Sequence, residues 1–240
     1  METKSFTFFV LVIALFMMAF STPSQGQPPF EVPPSGGLPI CTEDLNTCNM
    51  ELDECEAQES FGVAQTGQTT CWNQNGVVLA SCVGTGQDGD IQAGAMPPSP
   101  RFTDHSDGTI TDNFTGLMWL KDGNCPNAGR TWSQALGDVT SLNNSQMMNG
   151  NPCYEYTATY TDWYLPNRNQ LESLLDLENF LPSLPTGHLF WDFKYSHYWS
   201  STAYAWIPSD AWTVVYDFGR VETRTKNQYG LWVIAVRDGQ

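Results

Sequence analysis

Apolar residues recur with helical spacing in two segments near the middle of the chain. In residues 132–142, one helical face carries the apolar side chains of Trp132, Ala135, Leu136, Val139 and Leu142. This spacing predicts an amphipathic helix with one buried side. A second helix is predicted over 166–177, where Pro166 stands at the entry and Asn167 can serve as the N-cap.

Segments on either side of these helices have the composition and alternation of β-strands. Residues 101–120 predict a strand, a turn at Asp107 and Gly108, and a second strand. Three later segments, 198–202, 211–223 and 231–237, are rich in β-branched and aromatic residues. The order of a strand pair, two helices and then several strands predicts an α+β domain with an antiparallel sheet.

Near the start of the chain, apolar positions 41, 45, 48, 52 and 55 step by four and three residues, as in a coiled-coil seam. Cys41, Cys48 and Cys55 fill one core position. On a helix, residues seven apart differ by about 10 Å of rise, and a disulfide tolerates only about 7 Å between α carbons. We therefore expect a helical stalk over 41–60 that forms a homo-oligomer with interchain disulfides. A loop with one internal bridge and one free thiol is the alternative.

The first residues have the pattern of an export signal. An apolar run from Phe6 to Phe20 follows Lys4, and small and polar residues come next. This pattern predicts a secretory signal peptide over 1–26. The apolar run is shorter than the about 20 residues that a membrane-spanning helix needs, so we expect no membrane span after cleavage of the signal. An uncleaved anchor is the alternative. Residues 27–40 are rich in proline and predict an extended linker.

Charge limits the partners that the protein can bind. The chain has 10 Lys and Arg against 26 Asp and Glu, for a formal net charge of −16. Residues 27–60 carry eight acids and no base, and residues 61–240 carry 17 acids and nine bases. Polyanions bind to basic surfaces, so we expect no nucleic-acid partner and no site for sulfated sugars.

Four of the seven cysteines lie in the globular part, and an exported protein keeps its disulfides. Cys71 and Cys82 flank an Asn-Gly turn between two extended runs, which predicts a disulfide-bonded hairpin in a leader of residues 61–100. Cys125 and Cys153 then remain as the second pair. No C-x-x-C occurs and the three histidines lack ligand spacing, so we expect no zinc site.

Four segments of residues 101–240 resemble the motifs of one known family, in the family's order. They are R-F-T-D with D-G-T-I-T-D-N-F-T-G-L-M-W in 101–119, W-Y-L-P-N-R-N-Q-L-E-S-L in 163–174, Y-W-S-S-T in 198–202 and V-I-A-V-R in 233–237. The family is the Lcl C-terminal domain family, which is named after a bacterial collagen-like adhesin. Tyr164 stands where the family usually has arginine.

The resemblance implies a C-type-lectin-like fold, related to that of formylglycine-generating enzymes, and an extracytoplasmic bacterial protein. For the named adhesin it implies an oligomer that binds glycosaminoglycans. We therefore expect a secreted, periplasmic or cell-surface protein with one C-type-lectin-like domain over 101–240.

The sequence offers little for catalysis or metal binding. There is no G-x-S-x-G, H-E-x-x-H or P-loop motif. A formylglycine-generating oxidase would need reactive thiols late in the domain, and the last cysteine is Cys153, so we expect no enzyme. Calcium is the one cofactor considered, because oxygen-rich stretches near glycines suit it. Its candidate ligands are Asp88, Asp90, Asp104, Asp107 and Asp112. Ordinary turn chemistry is the favoured interpretation of these residues, so we expect no cofactor, with calcium as the alternative.

Aromatic residues between 188 and 212 are the best candidates for ligand binding. Trp199 and Trp212 lie in strand patterns and are expected in the core. Trp191 and Trp206 stand beside loop residues, and with Tyr204 they are our predicted ligand-binding residues, because exposed aromatic rings stack on sugars.

Together these features predict an exported, non-catalytic binding or adhesion protein of the envelope or cell surface, with a glycan or a protein as its ligand. A structural envelope component without glycan binding is one alternative. A formylglycine-generating-type enzyme is another.

Overall fold

The computed structural model describes residues 63–239. The predicted signal peptide, linker and stalk, over 1–26, 27–40 and 41–60, lie outside the described residues. Between residues 63 and 239, no helix combines the length and the apolar character needed to cross a bilayer.

The described residues form short helices and antiparallel sheets, which confirms the α+β prediction. The helices are α1 (Asp88–Ile91), α2 (Trp132–Ser145) and α3 (Arg168–Glu172). The strands are β1 (Phe102–Asp104), β2 (Thr109–Asp112), β3 (Leu117–Leu120), β4 (Met147–Met148), β5 (Asn151–Pro152), β6 (His197–Ala203), β7 (Asp210–Val215), β8 (Arg220–Thr225) and β9 (Val236–Asp238). They form sheets of order β1-β2-β3-β9, β4-β5 and β6-β7-β8.

The segment 231–238 connects the two larger sheets. Its C-terminal part is β9, which pairs with β3 so that Val236 lies opposite Trp119. Upstream, Trp232 forms a parallel bridge with Tyr198 of β6. The predicted strand over 231–237 is thus only partly a regular strand, because its first residues pair with a different sheet from its last.

Alternate residues of this segment enter two different hydrophobic clusters. Leu231, Val233 and Ala235 pack in the cluster around α2. Ile234 and Val236 pack in a second, aromatic cluster that includes Trp119 and Tyr198. A strand buried on both faces explains why the sequence here is almost continuously apolar instead of alternating.

The helix α2 confirms the predicted amphipathic helix and extends it to Ser145. Thr131 caps it through a capping box with Gln134, in which each side chain accepts from the other's backbone amide. Ala135, Val139 and Leu142 are buried, as the spacing predicts.

The second helix is shorter than the sequence indicates. Asn167 caps α3 as expected, but α3 ends at Glu172 and the predicted helix to 177 is wrong. The carbonyl of Leu171 accepts a hydrogen bond from the Tyr216 hydroxyl, and that of Ser173 accepts one from Arg101. The helix does not continue to 177, because the amide of Asp176 donates to the carbonyl of Ser183 and the amide of Leu177 donates to the carbonyl of Thr66.

The two predicted core tryptophans differ in their surroundings. Trp199 is fully buried, as predicted. Trp212 is only half-buried, so its placement in the core is wrong. It lies on the outward side of β7, between the buried residues Ala211 and Thr213, because alternate strand residues face opposite sides. The segment 211–223 also proves to be two strands, β7 and β8, paired as a hairpin.

Both predicted intrachain disulfides are confirmed. Cys71 bonds to Cys82 and Cys125 bonds to Cys153. The first closes a hairpin in which Trp72 pairs with Val78. This leader packs on the domain, since the backbone amides of residues 69 and 70 donate to the Glu178 carboxylate.

Candidate ligand-binding groove

An open groove with a volume of about 270 Å³ lies where three loops meet. Its walls come from residues 122–127, directly after β3, from residues 151–154, and from residues 191 and 192. Trp191, one of the predicted ligand-binding residues, forms part of this wall.

The three loops are tied together by backbone and covalent bonds. The amide of Trp191 donates to the carbonyl of Lys121 at 2.8 Å, and the amide of Gly123 donates to the carbonyl of Trp191 at 2.9 Å. Gly123 allows this close approach, because a Cβ there would lie 2.8 Å from the Phe193 Cα. The Cys125–Cys153 disulfide joins the other two loops. The shape of the groove is therefore set by the fold.

Trp191 lines the groove and keeps an open aromatic surface. Tyr154 stacks on its indole with 4.4 Å between ring centroids and 16° between planes. Even so, 52% of Trp191 is exposed. Because Tyr154 covers one face, the exposed part of the indole is its opposite face and its edge.

Asp122 places a buried carboxylate beside this surface. The residue is 7% exposed, and its two oxygens accept from the backbone amides of Asn124, at 2.9 Å, and Tyr154, at 2.8 Å. Burial raises the pKa of the Asp122 carboxyl above its ordinary value, although these two hydrogen bonds act to lower it. Within residues 63–239 no lysine or arginine forms an ion pair with Asp122.

Asn124 adds a buried acceptor that has no donor. Its Nδ2 donates to Asp192 Oδ2 at 2.8 Å. A carboxylate can only accept, so this bond fixes the orientation of the amide. Asn124 is 6% exposed, and its Oδ1 accepts no hydrogen bond from any residue of 63–239. Leaving such an atom unsatisfied costs about 1–3 kcal/mol, so this wall of the groove favours a ligand or water that donates.

Asp192 is the second carboxylate of the groove and the more exposed one. Its partial burial acts to raise its pKa, but hydrogen bonds from Asn124 and Lys194 outweigh this effect and leave the pKa below its ordinary value. Asp192 also has a positive φ of 45°, a conformation that aspartate tolerates better than most residues. The neighbouring carboxylates Asp122 and Asp192 therefore have pKa values shifted in opposite directions.

Almost every cation of the domain is neutralised by a carboxylate. Among residues 63–239, the arginines and lysines in ion pairs are Arg101, Lys121, Arg130, Arg168, Lys194, Arg220, Arg224 and Arg237. Lys226 instead donates to the carbonyl of Pro208 and lies over the ring of Trp132. This part of the chain therefore presents no cluster of unpaired cations.

The other two predicted binding residues lie elsewhere, on the connection between β6 and β7. Trp206 is 83% exposed. Tyr204 is half-buried, with its ring edge against Trp212 at 5.1 Å between centroids. No hydrogen bond or ring contact in the described part of the chain joins either residue to Trp191. The three predicted residues thus belong to two separate surfaces.

The calcium candidates are five aspartates: Asp88, Asp90, Asp104, Asp107 and Asp112. Each accepts hydrogen bonds from the protein, as Asp104 does from Lys121 and Asp112 does from Arg101. In residues 63–239 no group of three or more His, Cys, Asp or Glu is arranged to hold a metal ion. The expectation of no cofactor, with calcium at these residues as the alternative, stays a prediction.

Sequence reasoning missed Asp122, Asn124, Tyr154 and Asp192. One signal for two of them was present, because Asn124 and Tyr154 directly adjoin Cys125 and Cys153. The predicted disulfide already brings those neighbours together. Asp192 directly follows the predicted Trp191 in the sequence.

The fold and the groove define a small α+β domain with internal disulfides and an open, acidic cleft. The profile of the Lcl C-terminal domain matches residues 108–237, more than half of the chain, and the protein belongs to this family. This match confirms the resemblance inferred from the four motifs. A search of curated proteins gives no significant match.

Tyr164 stands at the position where the resemblance implies an arginine, and its phenol has defined contacts. The Tyr164 hydroxyl donates to Asp238 Oδ1 at 2.8 Å and accepts from Gln170 Nε2 at 2.9 Å. Tyr164 therefore still supplies a donor to β9, but without a positive charge.

Replacing Cys125 and Cys153 together by serine should destabilise the protein by about 3–4 kcal/mol, because the disulfide closes a loop with a sequence separation of 28. Urea unfolding under non-reducing conditions measures this loss. The matched control is the Cys71→Ser/Cys82→Ser pair, whose separation of 11 predicts a loss smaller by about 1 kcal/mol. An unchanged free energy of unfolding for Cys125→Ser/Cys153→Ser would contradict the structural role of this bond.

Proposed function

We propose that the protein is an exported, non-catalytic binding protein of the envelope or cell surface, and that the Trp191 groove holds a glycan. The observation that carries this proposal is the open face of the Trp191 indole beside two buried side chains, Asp122 and Asn124. The C–H face of a sugar ring packs on such an indole, and its hydroxyls donate to such acceptors.

The size and shape of the groove fit this class of ligand. Pockets for drug-sized molecules measure about 300–1,000 Å³, so the 270 Å³ of this groove suit one or two sugar rings. Since the groove is open to solvent, a longer chain can continue beyond it on either side. A protein segment with an exposed ring or hydroxyl is the second ligand class that these contacts accept.

Several features support the export and the absence of catalysis. The signal-like N-terminus and the two intrachain disulfides fit an oxidising compartment. All four cysteines of residues 63–239 are paired, which leaves a formylglycine-generating-type oxidase without a reactive thiol in this part of the chain. The alternative of a structural envelope component would use surfaces such as the exposed Trp206 and Ile207.

We further propose that the domain is C-type-lectin-like and that it stands on an oligomeric coiled-coil stalk. The family membership, the antiparallel sheets and the capped helix α2 are consistent with the first part. The second part relies on the heptad spacing of Cys41, Cys48 and Cys55. An oligomer would raise the avidity of a small groove without any new contact.

Changing Trp191 to alanine should weaken glycan binding about tenfold or more, because the stacking surface is lost. A glycan array followed by titration of the positive glycans measures the change. Trp206→Ala is the control, since it removes another exposed tryptophan that lies outside the groove. If only Trp206→Ala abolishes binding, the Tyr204 and Trp206 surface is the site. If no glycan binds the unmodified protein, the structural alternative is favoured.

The stalk proposal predicts a disulfide-linked oligomer. On a non-reducing gel the mature protein should migrate as a dimer or trimer, and with reductant as a monomer, because the seam cysteines bond between chains. A Cys41→Ser/Cys48→Ser/Cys55→Ser variant should be monomeric on both gels. A monomer without reductant in the unmodified protein would contradict the proposal.

A further inference from the structure

We infer that the groove selects glycans that carry a free amino group, of the glucosamine type, with the sugar ring on Trp191 and the ammonium held by Asp122, Asp192 and the Oδ1 of Asn124. This inference rests on the proposed glycan-binding function and specifies its ligand.

The side chains that line the groove offer mainly hydrogen-bond acceptors. Asp122 and Asp192 are acceptors, and Asn124 contributes its unpartnered Oδ1 while its Nδ2 is held by Asp192. The side-chain amide of Asn151 also lines the groove, but its Nδ2 already donates to the carbonyl of Pro126 at 2.9 Å. A ligand that satisfies these groups must therefore bring donors, and an ammonium brings three of them.

The charge of the Asp122 carboxylate has no partner of opposite sign within residues 63–239. This carboxylate is buried to more than nine-tenths. Two lysines of the neighbouring loops are engaged elsewhere, Lys194 with Asp192 and Lys121 with Asp104 and Glu155. A buried charge is costly unless it is paired. A ligand ammonium would supply the missing partner.

An aromatic surface lies next to these carboxylates in the groove. The Trp191 indole is open on one face, and a cation near an indole gains a further electrostatic attraction. A free lysine-type ammonium would use the carboxylates but not the full ring surface. A pyranose with an amino group uses both, so the combination favours an amino sugar over a simple amine.

The same charges disfavour other sugars. Carboxylated or sulfated sugars would meet Asp122 and Asp192 without a free cation to receive them. An N-acetylated sugar keeps the ring but loses the positive charge. The groove should therefore rank free amino sugars first, then neutral sugars, then acidic sugars.

Binding should also depend on pH in a defined direction. The charged groups that act on Asp122 are Asp192 and Lys194, and the backbone amides of Asn124 and Tyr154 bond to it. Since the pKa of Asp122 is raised, this carboxylate loses its charge at a higher pH than an ordinary aspartate. Affinity for an amino sugar should fall as the pH drops through that range, while affinity for a neutral sugar should change little.

The test is calorimetric titration of the full mature protein with three tetrasaccharides of the same linkage. These are fully deacetylated β-1,4-glucosamine, its N-acetylated form, and the corresponding glucose tetramer. We expect the glucosamine tetramer to bind about tenfold more tightly than the other two, as one added charge pair implies. Added salt should reduce this preference.

Two variants locate the preference. Asp122→Asn should remove it while weak binding of the glucose tetramer persists. Because Asp122 also accepts two backbone hydrogen bonds, its replacement can disturb the fold, and Asp192→Asn is therefore the second variant. The Asp192 side chain is more exposed, so its replacement should leave the fold intact and reduce the preference severalfold. Asp210→Asn on β7 is the control and should leave the affinity for all three tetramers unchanged. Circular dichroism verifies that each variant is folded.

The outcomes separate the inference from the function it rests on. Equal affinity for the three tetramers, with binding lost in Trp191→Ala, would overturn the amino-sugar inference and leave glycan binding intact. A lysine-rich peptide that binds as tightly as the glucosamine tetramer would also overturn it. No binding of any sugar would overturn both.

Discussion

The segment 231–238 pairs at both of its ends and is buried on both of its faces, and the rest of the domain is organised around it. Through Trp232 it joins the β6 sheet, and through Val236 it joins β3. Its alternate residues divide between two hydrophobic clusters. Because a strand of this kind has no solvent-facing side, a polar residue in place of Val233, Ile234, Ala235 or Val236 would disturb one of the two clusters.

The groove is a direct consequence of this arrangement. The strand β3, held on one side by β9, leads at Lys121 into the loop that carries Asp122 and Asn124, and the backbone of Trp191 bonds to that loop. The Cys125–Cys153 bond then adds the third wall. Rigid scaffolding allows the protein to keep a buried carboxylate and an unpartnered amide oxygen, two features that a flexible loop would expose to water. Such features cost stability and are typical of sites that bind a ligand.

Local rules predicted much of this fold, and long-range contacts explain what they missed. The periodicity of apolar residues predicts the helix α2 and its buried face. The Asn-Gly turn predicts the Cys71–Cys82 bond, and Cys125 and Cys153 then pair as the two remaining cysteines of the globular part. Local rules do not predict the end of α3, because the amides of Asp176 and Leu177 bond to the carbonyls of Ser183 and Thr66, outside any helix. The half-buried position of Trp212 depends on which side of β7 meets the core. Trp191 and its sequence neighbour Asp192 could be proposed from their loop context, but Asp122 could not, since a separate loop brings it to them.

The most direct test of the central claim is a crystal structure of the protein with a glucosamine oligosaccharide bound. Our account predicts one sugar ring against the open face of Trp191, with its amino group within hydrogen-bond distance of Asp122 or of Asn124 Oδ1. A sugar bound instead at Trp206, or a groove that holds no sugar when the oligosaccharide is ordered elsewhere on the protein, would contradict it.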